Sequence, residues 1–167
     1  LELQSRPQVR SSPIINEKSL YSQKIGNMYS FVQDGDRFVV SIDNHQEVVD
    51  TLAAFCKDQG ILCGEISGIG AVNHAVLRFL DPATKKYVDK TFEEQMEISS
   101  LVGNISEKDG EVYLHLHANF GRRDYTVVGG HLLSCVLNGA CELVVTRFHC
   151  KVGRRFDEET GLNLYSF

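Results

Sequence analysis

Leu114-His115-Leu116-His117 is the stretch of this chain best suited to chemistry. On a strand, residues i and i+2 share a face. His115 and His117 would then project together, about 6–7 Å apart at Cα, while Leu114, Leu116 and Ala118 turn to the core. Two imidazoles on one rigid strand can converge on a metal ion. His131 follows Gly129-Gly130, where small residues let the backbone turn tightly and approach another strand closely. A three-histidine site on His115, His117 and His131 is therefore geometrically reasonable, with a fourth position for water, a carboxylate or a substrate. A plain polar sheet face has the same H-x-H pattern, so the pair alone leaves both readings open.

Other residues carry weaker signals. Glu97 sits between apolar residues on an expected strand, either exposed or buried near the histidines as an orienting partner or general base. Glu65 is the other candidate base. His45 reads as a first-turn helix residue, His74 as strand or turn, and His149 as part of the last strand, each a satisfied polar residue. Gly68-Ile69-Gly70 follows a strand without a third glycine or a helix, so it fails as a dinucleotide fingerprint. There is no P-loop and no G-x-S-x-G elbow. Ser67 and Ser100 have no partner that would make them nucleophiles. The basic pairs Arg122-Arg123 and Arg154-Arg155 lie beside acidic residues and read as solvated loop.

The elements that must position the histidines are mostly strands. Arg37–Asp43 is β-branched and strand-like. Asn44 and Glu47 have capping-box-like spacing, and Val48, Val49, Leu52, Ala53 and Cys56 recur at helical spacing. Gly60 stands where a glycine past the C-terminus stops a helix, so a helix is expected over 45–59. Ile61–Ile69 and His74–Leu80 read as two apolar runs joined through Gly68 and Gly70. Tyr87–Phe92 returns after the turn at Asp81-Pro82-Ala83-Thr84. Met96–Ile105 and Glu111–Asn119 flank the hairpin signal Asp109-Gly110. Thr126–Val128, Leu132–Leu137 and Cys141–Cys150 complete the strands. This pattern predicts an α+β fold, a mostly antiparallel sheet with one main helix.

The chain has 167 residues and a net charge of −5, with 43% hydrophobic and 23% charged residues. That is one domain's worth of chain, long enough to bury a core without disulfides or metal. Residues 1–27 hold Arg6, Arg10, Lys18 and Lys24 against Glu2 and Glu17, a net +2, which leaves −7 for the remainder. The expected organisation is a polar arm over 1–27, a folded domain over 28–150, and a tail over 151–167 docked on the core or on a neighbouring subunit. An acidic body argues against DNA recognition through a broad basic face. No apolar run approaches the roughly 18 residues of a membrane span, so no membrane partner is expected. Five cysteines without C-x-x-C spacing read as reduced and mostly buried, which favours a cytoplasmic location.

Four segments, taken in order, carry a resemblance. They are Gly64-Glu65-Ile66-Ser67-Gly68-Ile69-Gly70, then Glu97-Ile98-Ser99-Ser100-Leu101-Val102-Gly103-Asn104, then Leu114-His115-Leu116-His117-Ala118, then Gly129-Gly130-His131-Leu132. Together they resemble the PPC domain family (plants and prokaryotes conserved) from about Met28 to Cys150, of the stand-alone prokaryotic type. The resemblance implies an α+β fold and a homotrimer. It also implies that His115, His117 and His131 match the family's metal-site histidines, with zinc the usual divalent metal. In plants the domain accompanies AT-hooks in nuclear DNA-binding proteins, and the prokaryotic members are commonly labelled as DNA-binding. No AT-hook segment is present here. Glu94-Gln95-Met96-Glu97-Ile98-Ser99 keeps the family's Glu-Ile and lacks its preceding basic residue.

Three functions follow as expectations. The first is a metal-binding homo-oligomer with a regulatory role, associated with DNA or with a DNA-bound protein. The second is a metal-dependent enzyme acting on a small molecule through the three histidines. The third is a structural metal site in an interaction module.

Overall fold

The computed structural model describes residues 23–25 and 28–167. Apart from a short strand, the arm expected over 1–27 lies outside the described residues. The elements are β1 (Gln23–Ile25), β2 (Tyr29–Asp34), β3 (Arg37–Ile42), α1 (Val48–Asp58), β4 (Gly64–Asp81), β5 (Lys86–Phe92), β6 (Met96–Lys108), β7 (Glu111–Gly121), β8 (Val127–Arg147), β9 (Gly153–Asp157) and β10 (Leu162–Ser166). Eight strands form one sheet in the order β1-β2-β3-β8-β7-β6-β4-β5. A further pairing of β8 with β4 closes β4, β6, β7 and β8 into a ring. The ladders are antiparallel, so the α+β class with one helix is confirmed.

The helix buries Val48, Leu52, Phe55 and Cys56, its one apolar stripe. Phe55 meets the rings of Tyr29, Phe31 and Phe38 edge-on at 5.4, 5.4 and 5.6 Å, the geometry that ring quadrupoles favour. Its start differs from the expectation. Glu47, not Asn44, is the cap, and its Oε2 accepts from Asp50 N. His45 lies before the helix with a left-handed φ of 69°. Asn44 instead accepts from the backbone N–H groups of His45 and Gly139. Gly60 does end the helix, at φ 63°.

The sheet's long strands also differ from the expected shorter runs. β4 continues through Gly68 and Gly70, where its register against β6 shifts. A Cβ at Gly68 would stand 2.6 Å from the Glu142 carbonyl oxygen, so the glycine permits close approach to β8. β8 likewise continues through Gly139, and Gly70 pairs with Cys141 while Val72 pairs with Leu137, so β8 bulges between those rungs. Such bulges bend a strand without ending it. β8 ends at Arg147, so His149 lies beyond it, with Nε2 2.8 Å from Asp36 Oδ2. The tail forms the β9–β10 hairpin, and Glu107 N donates to Val152 O just before it.

Candidate metal centre

Strand pairing alone brings the histidines together. His117 on β7 lies opposite His131 on β8 and, on its other side, opposite Val102 on β6. His131 in turn lies opposite Arg78 on β4, and Arg78 opposite Asp89 on β5. Directly opposed residues share a face, so one row of side chains runs Val102, His117, His131, Arg78, Asp89. His115 stands two residues along β7 from His117, on the same face. Leu116 and Ala118 point inward and are buried, which holds the imidazoles outward.

One ligand nitrogen from each of His115, His117 and His131 can be chosen so that all lie within 4.8 Å of one another. The ring centroids are 5.2, 5.1 and 5.5 Å apart. From that separation, rotation about the side-chain bonds can bring three nitrogens to one ion at the ~2.0–2.1 Å that zinc takes. The cluster's electrostatics suit a ligand role. Burial, with help from His115, His117 and Arg78, pushes His131 down to about 4. Burial first, then His117 and Arg154, lowers His115. A neutral imidazole keeps the lone pair that a metal needs. Among the described residues the cluster consists of these three side chains, with no carboxylate or thiolate in it. The donor set therefore fits a divalent ion.

Grooves flank the cluster. One, of about 350 Å³, is walled by Arg78, Tyr87, Tyr113, Arg154 and Asn163 together with the three histidines. Arg78 lies over the Tyr87 ring at 4.7 Å and grips Asp89 through two bonds of 2.9 and 2.8 Å. The other, of about 380 Å³, is shared by Glu65, Ser67, Val102 and Asn104 with His115 and His117.

The candidate bases fall in different places. Glu65 shares a rung with Asn104, and Asn104 with His115, so Glu65 is on the histidine face two strands from His115. That is roughly 10 Å at strand spacing. Glu97 pairs with Ala71 and Gly121, five residues along β6 from the Val102 rung, and is exposed. The structure does not bring it to the histidines. His74 is on β4 with Nδ1 3.9 Å from Glu93, away from the cluster. Arg154 corrects an expectation: it is not loop but β9, and it lines the groove beside His115. Tyr113 carried a weak signal, the outward i−2 position from His115. Arg154 and Asn163 carried none, because a five-residue strand on a charged tail has too little alternation to read.

The Plants and Prokaryotes Conserved (PCC) domain profile, the PPC family named above, matches residues 29–149. No curated protein matches the chain. Among solved structures, a protein of Bacteroides thetaiotaomicron described as a candidate DNA-binding protein is 53% identical, with a TM-score of 0.83 over 84% of this chain and 99% of its own. A metal-containing protein of Archaeoglobus fulgidus is 36% identical, with a TM-score of 0.76 over 87% and 100%. A plant- and prokaryote-conserved (PPC) protein of Pyrococcus horikoshii is 26% identical, with a TM-score of 0.73 over 86% and 98%. On the extent of the profile match and the identity to these relatives, the chain belongs to the Plants and Prokaryotes Conserved domain family.

Proposed function

We propose that this chain is a metal-binding domain in which His115, His117 and His131 hold one divalent ion, zinc foremost, with a ligand position open to the grooves. The observation that carries the reading is the convergence of three imidazole nitrogens within 4.8 Å on one sheet face. The relative described as metal-containing supports it. When bound, such an ion supplies Lewis acidity and acidifies a coordinated water. The chain's own residues shape the space around it: Tyr87 and Tyr113 wall the groove, Arg78 is neutralised by its pair with Asp89, and Arg154 adds positive charge. An open position beside a small concave groove favours a site for a small molecule over a purely structural metal, which is a closed four-ligand site. Zinc binding to the untagged chain, followed by elemental analysis, tests this reading. One ion per chain is expected, and its loss in His131→Ala with the fold intact.

The homotrimer belongs to the same proposal. Val39, Val144, Ser67 and Val102 form a cross-strand row that leads directly to His117. Val39, Val144 and Val102 are 59, 41 and 50% exposed, an apolar strip that another copy would cover. Light scattering should give roughly three times the 18.7 kDa chain mass, and Val144→Lys should lower it.

A second reading, a regulatory domain associated with DNA, draws on the description of the 53% identical relative. Arg78, Arg122 and Arg147 are already paired with Asp89, Glu94 and Asp36, which leaves them little for phosphates. This favours association through a DNA-bound protein over direct contact. Absence of duplex binding at about 50 mM salt is the expected result, and a steep salt-dependent affinity would favour direct recognition.

A further inference from the structure

Cys63 and Cys150 are 87 residues apart in the chain, yet their Sγ atoms lie 3.4 Å from each other. Cys63 is buried, one residue before β4, and Cys150 is exposed on the link from β8 to β9. Backbone bonds hold that link on both sides of Cys150. Phe148 N donates to Cys63 O at 2.8 Å, one step beyond the Gly64–Arg147 rung, and Glu107 N donates to Val152 O at 2.9 Å. The adjacent His149 has Nε2 2.8 Å from Asp36 Oδ2. The sulfur contact is therefore set by how the end of β8 pairs with the start of β4. Cys150 itself lies in neither helix nor strand, so its backbone can shift where a ladder cannot.

A disulfide holds its sulfurs ~2.0 Å apart, so these two must close by about 1.4 Å. Cys63 needs no access to solvent for this, because its sulfur already meets that of Cys150. The two thiols have unequal parts. Thiolate is the attacking form. Burial, with the Cys150 contact, pushes Cys63 up to about 11, so exposed Cys150 meets an oxidant first and Cys63 follows. Cys56, Cys135 and Cys141 are packed in the core, away from a dissolved oxidant. β9 begins three residues past Cys150 and carries Arg154 to the groove beside His115. A bond between Cys63 and Cys150 fastens the root of that hairpin to the start of β4.

We propose that Cys63 and Cys150 are a reversible thiol–disulfide pair, oxidised by small-molecule disulfides through Cys150. Cys150 thiolate attacks one sulfur of the small disulfide, whose S–S bond breaks, and one small thiolate leaves and takes up a proton. Cys63 then gives its proton to water and attacks Cys150 Sγ. The mixed disulfide breaks, and the second small thiolate leaves and is protonated. Two protein thiols become one disulfide, and one small disulfide becomes two thiols. The test is to incubate the reduced, untagged full chain with glutathione disulfide, quench with acid, alkylate after unfolding and map the peptides by mass. The wild-type chain should end two hydrogens lighter, with three alkylated cysteines in place of five and one cross-linked peptide pair holding Cys63 and Cys150. Dithiothreitol should restore all five thiols. Cys63→Ala should stop with one glutathione on Cys150, and Cys150→Ser should take up none in its native state. The oxidised wild-type chain should melt no lower than the reduced one, because the bond forms within the native fold. A wild-type chain that keeps five thiols, stops at the glutathione adduct or links other cysteines would overturn the proposal. So would a lower melting midpoint on oxidation. The wild-type map decides the matter by itself if either variant fails to fold.

Discussion

His117 and His131 are direct cross-strand partners, with ring centroids 5.5 Å apart and ring planes at 90°. Their meeting is set by the β7–β8 ladder and not by a loop, so the cluster is as rigid as the sheet that carries it. Their neighbours on the inner face, Ala118 and Leu132, are buried. The inner face packs the core while the outer face positions the imidazoles.

This separation of faces gives a first prediction. His131→Ala and His117→Ala should each sharply lower zinc affinity while changing stability by about 1 kcal/mol or less, the usual scale for residues outside the core. Urea unfolding of the metal-free variants checks the second half. A loss of several kcal/mol would mean that the histidines hold the fold itself.

A second prediction concerns pH. His131 is pushed down to about 4 in the folded chain, while an unfolded histidine titrates near ~6.5. Between those values the unfolded chain binds the extra proton, so stability falls as pH falls. Metal-free protein should therefore hold its thermal midpoint above pH ~6.5 and lose stability from there toward 4, with His115, also lowered, acting in the same direction. The slope in this window should shrink in His131→Ala. Thermal melts across that range provide the check.

Glu47 supplies the third prediction. Its carboxylate caps α1 through Asp50 N and also accepts from Cys135 N on β8 at 2.9 Å. Glu47→Ala removes both bonds and leaves a half-buried β8 donor open. A cost of about 1–3 kcal/mol is expected, measurable by urea unfolding and larger than that of Asn44→Ala.

The cysteines allow a fourth. Cys56, Cys63, Cys135 and Cys141 are buried and Cys150 is exposed. Burial pushes Cys56 and Cys141 up to about 12, and burial with the Cys150 contact at 3.4 Å pushes Cys63 up to about 11. Thiolate is the reactive form, so brief alkylation near pH 8 should modify Cys150 alone in the native chain. Mass spectrometry should count one adduct before unfolding and five after, since all five cysteines are free.

Much of the site was legible because strand periodicity is short and strict. His115 and His117 declare their shared face by spacing alone, and the helical spacing of Val48, Val49, Leu52, Ala53 and Cys56 declares the helix. The joins were less legible. Gly68 and Gly70 read as the join between two runs, yet they mark a bulge within one continuous strand, because a glycine that ends a strand and one that lets a neighbour approach look alike in one dimension. The cap moved from Asn44 to Glu47 because Asn44 is engaged with Gly139, a contact made by tertiary structure. Arg154 and Asn163 were illegible for the same reason. Their place beside the histidines depends on how the tail hairpin packs, and no local pattern encodes that.

Three imidazoles on one sheet face, His115, His117 and His131, are proposed to hold a divalent ion. Elemental analysis of untagged protein, saturated with zinc and then freed of excess, tests it most directly. One zinc per chain is expected, falling to a small fraction in His131→Ala. A wild-type chain that retains no stoichiometric zinc, or a His131→Ala chain that retains as much, would contradict it.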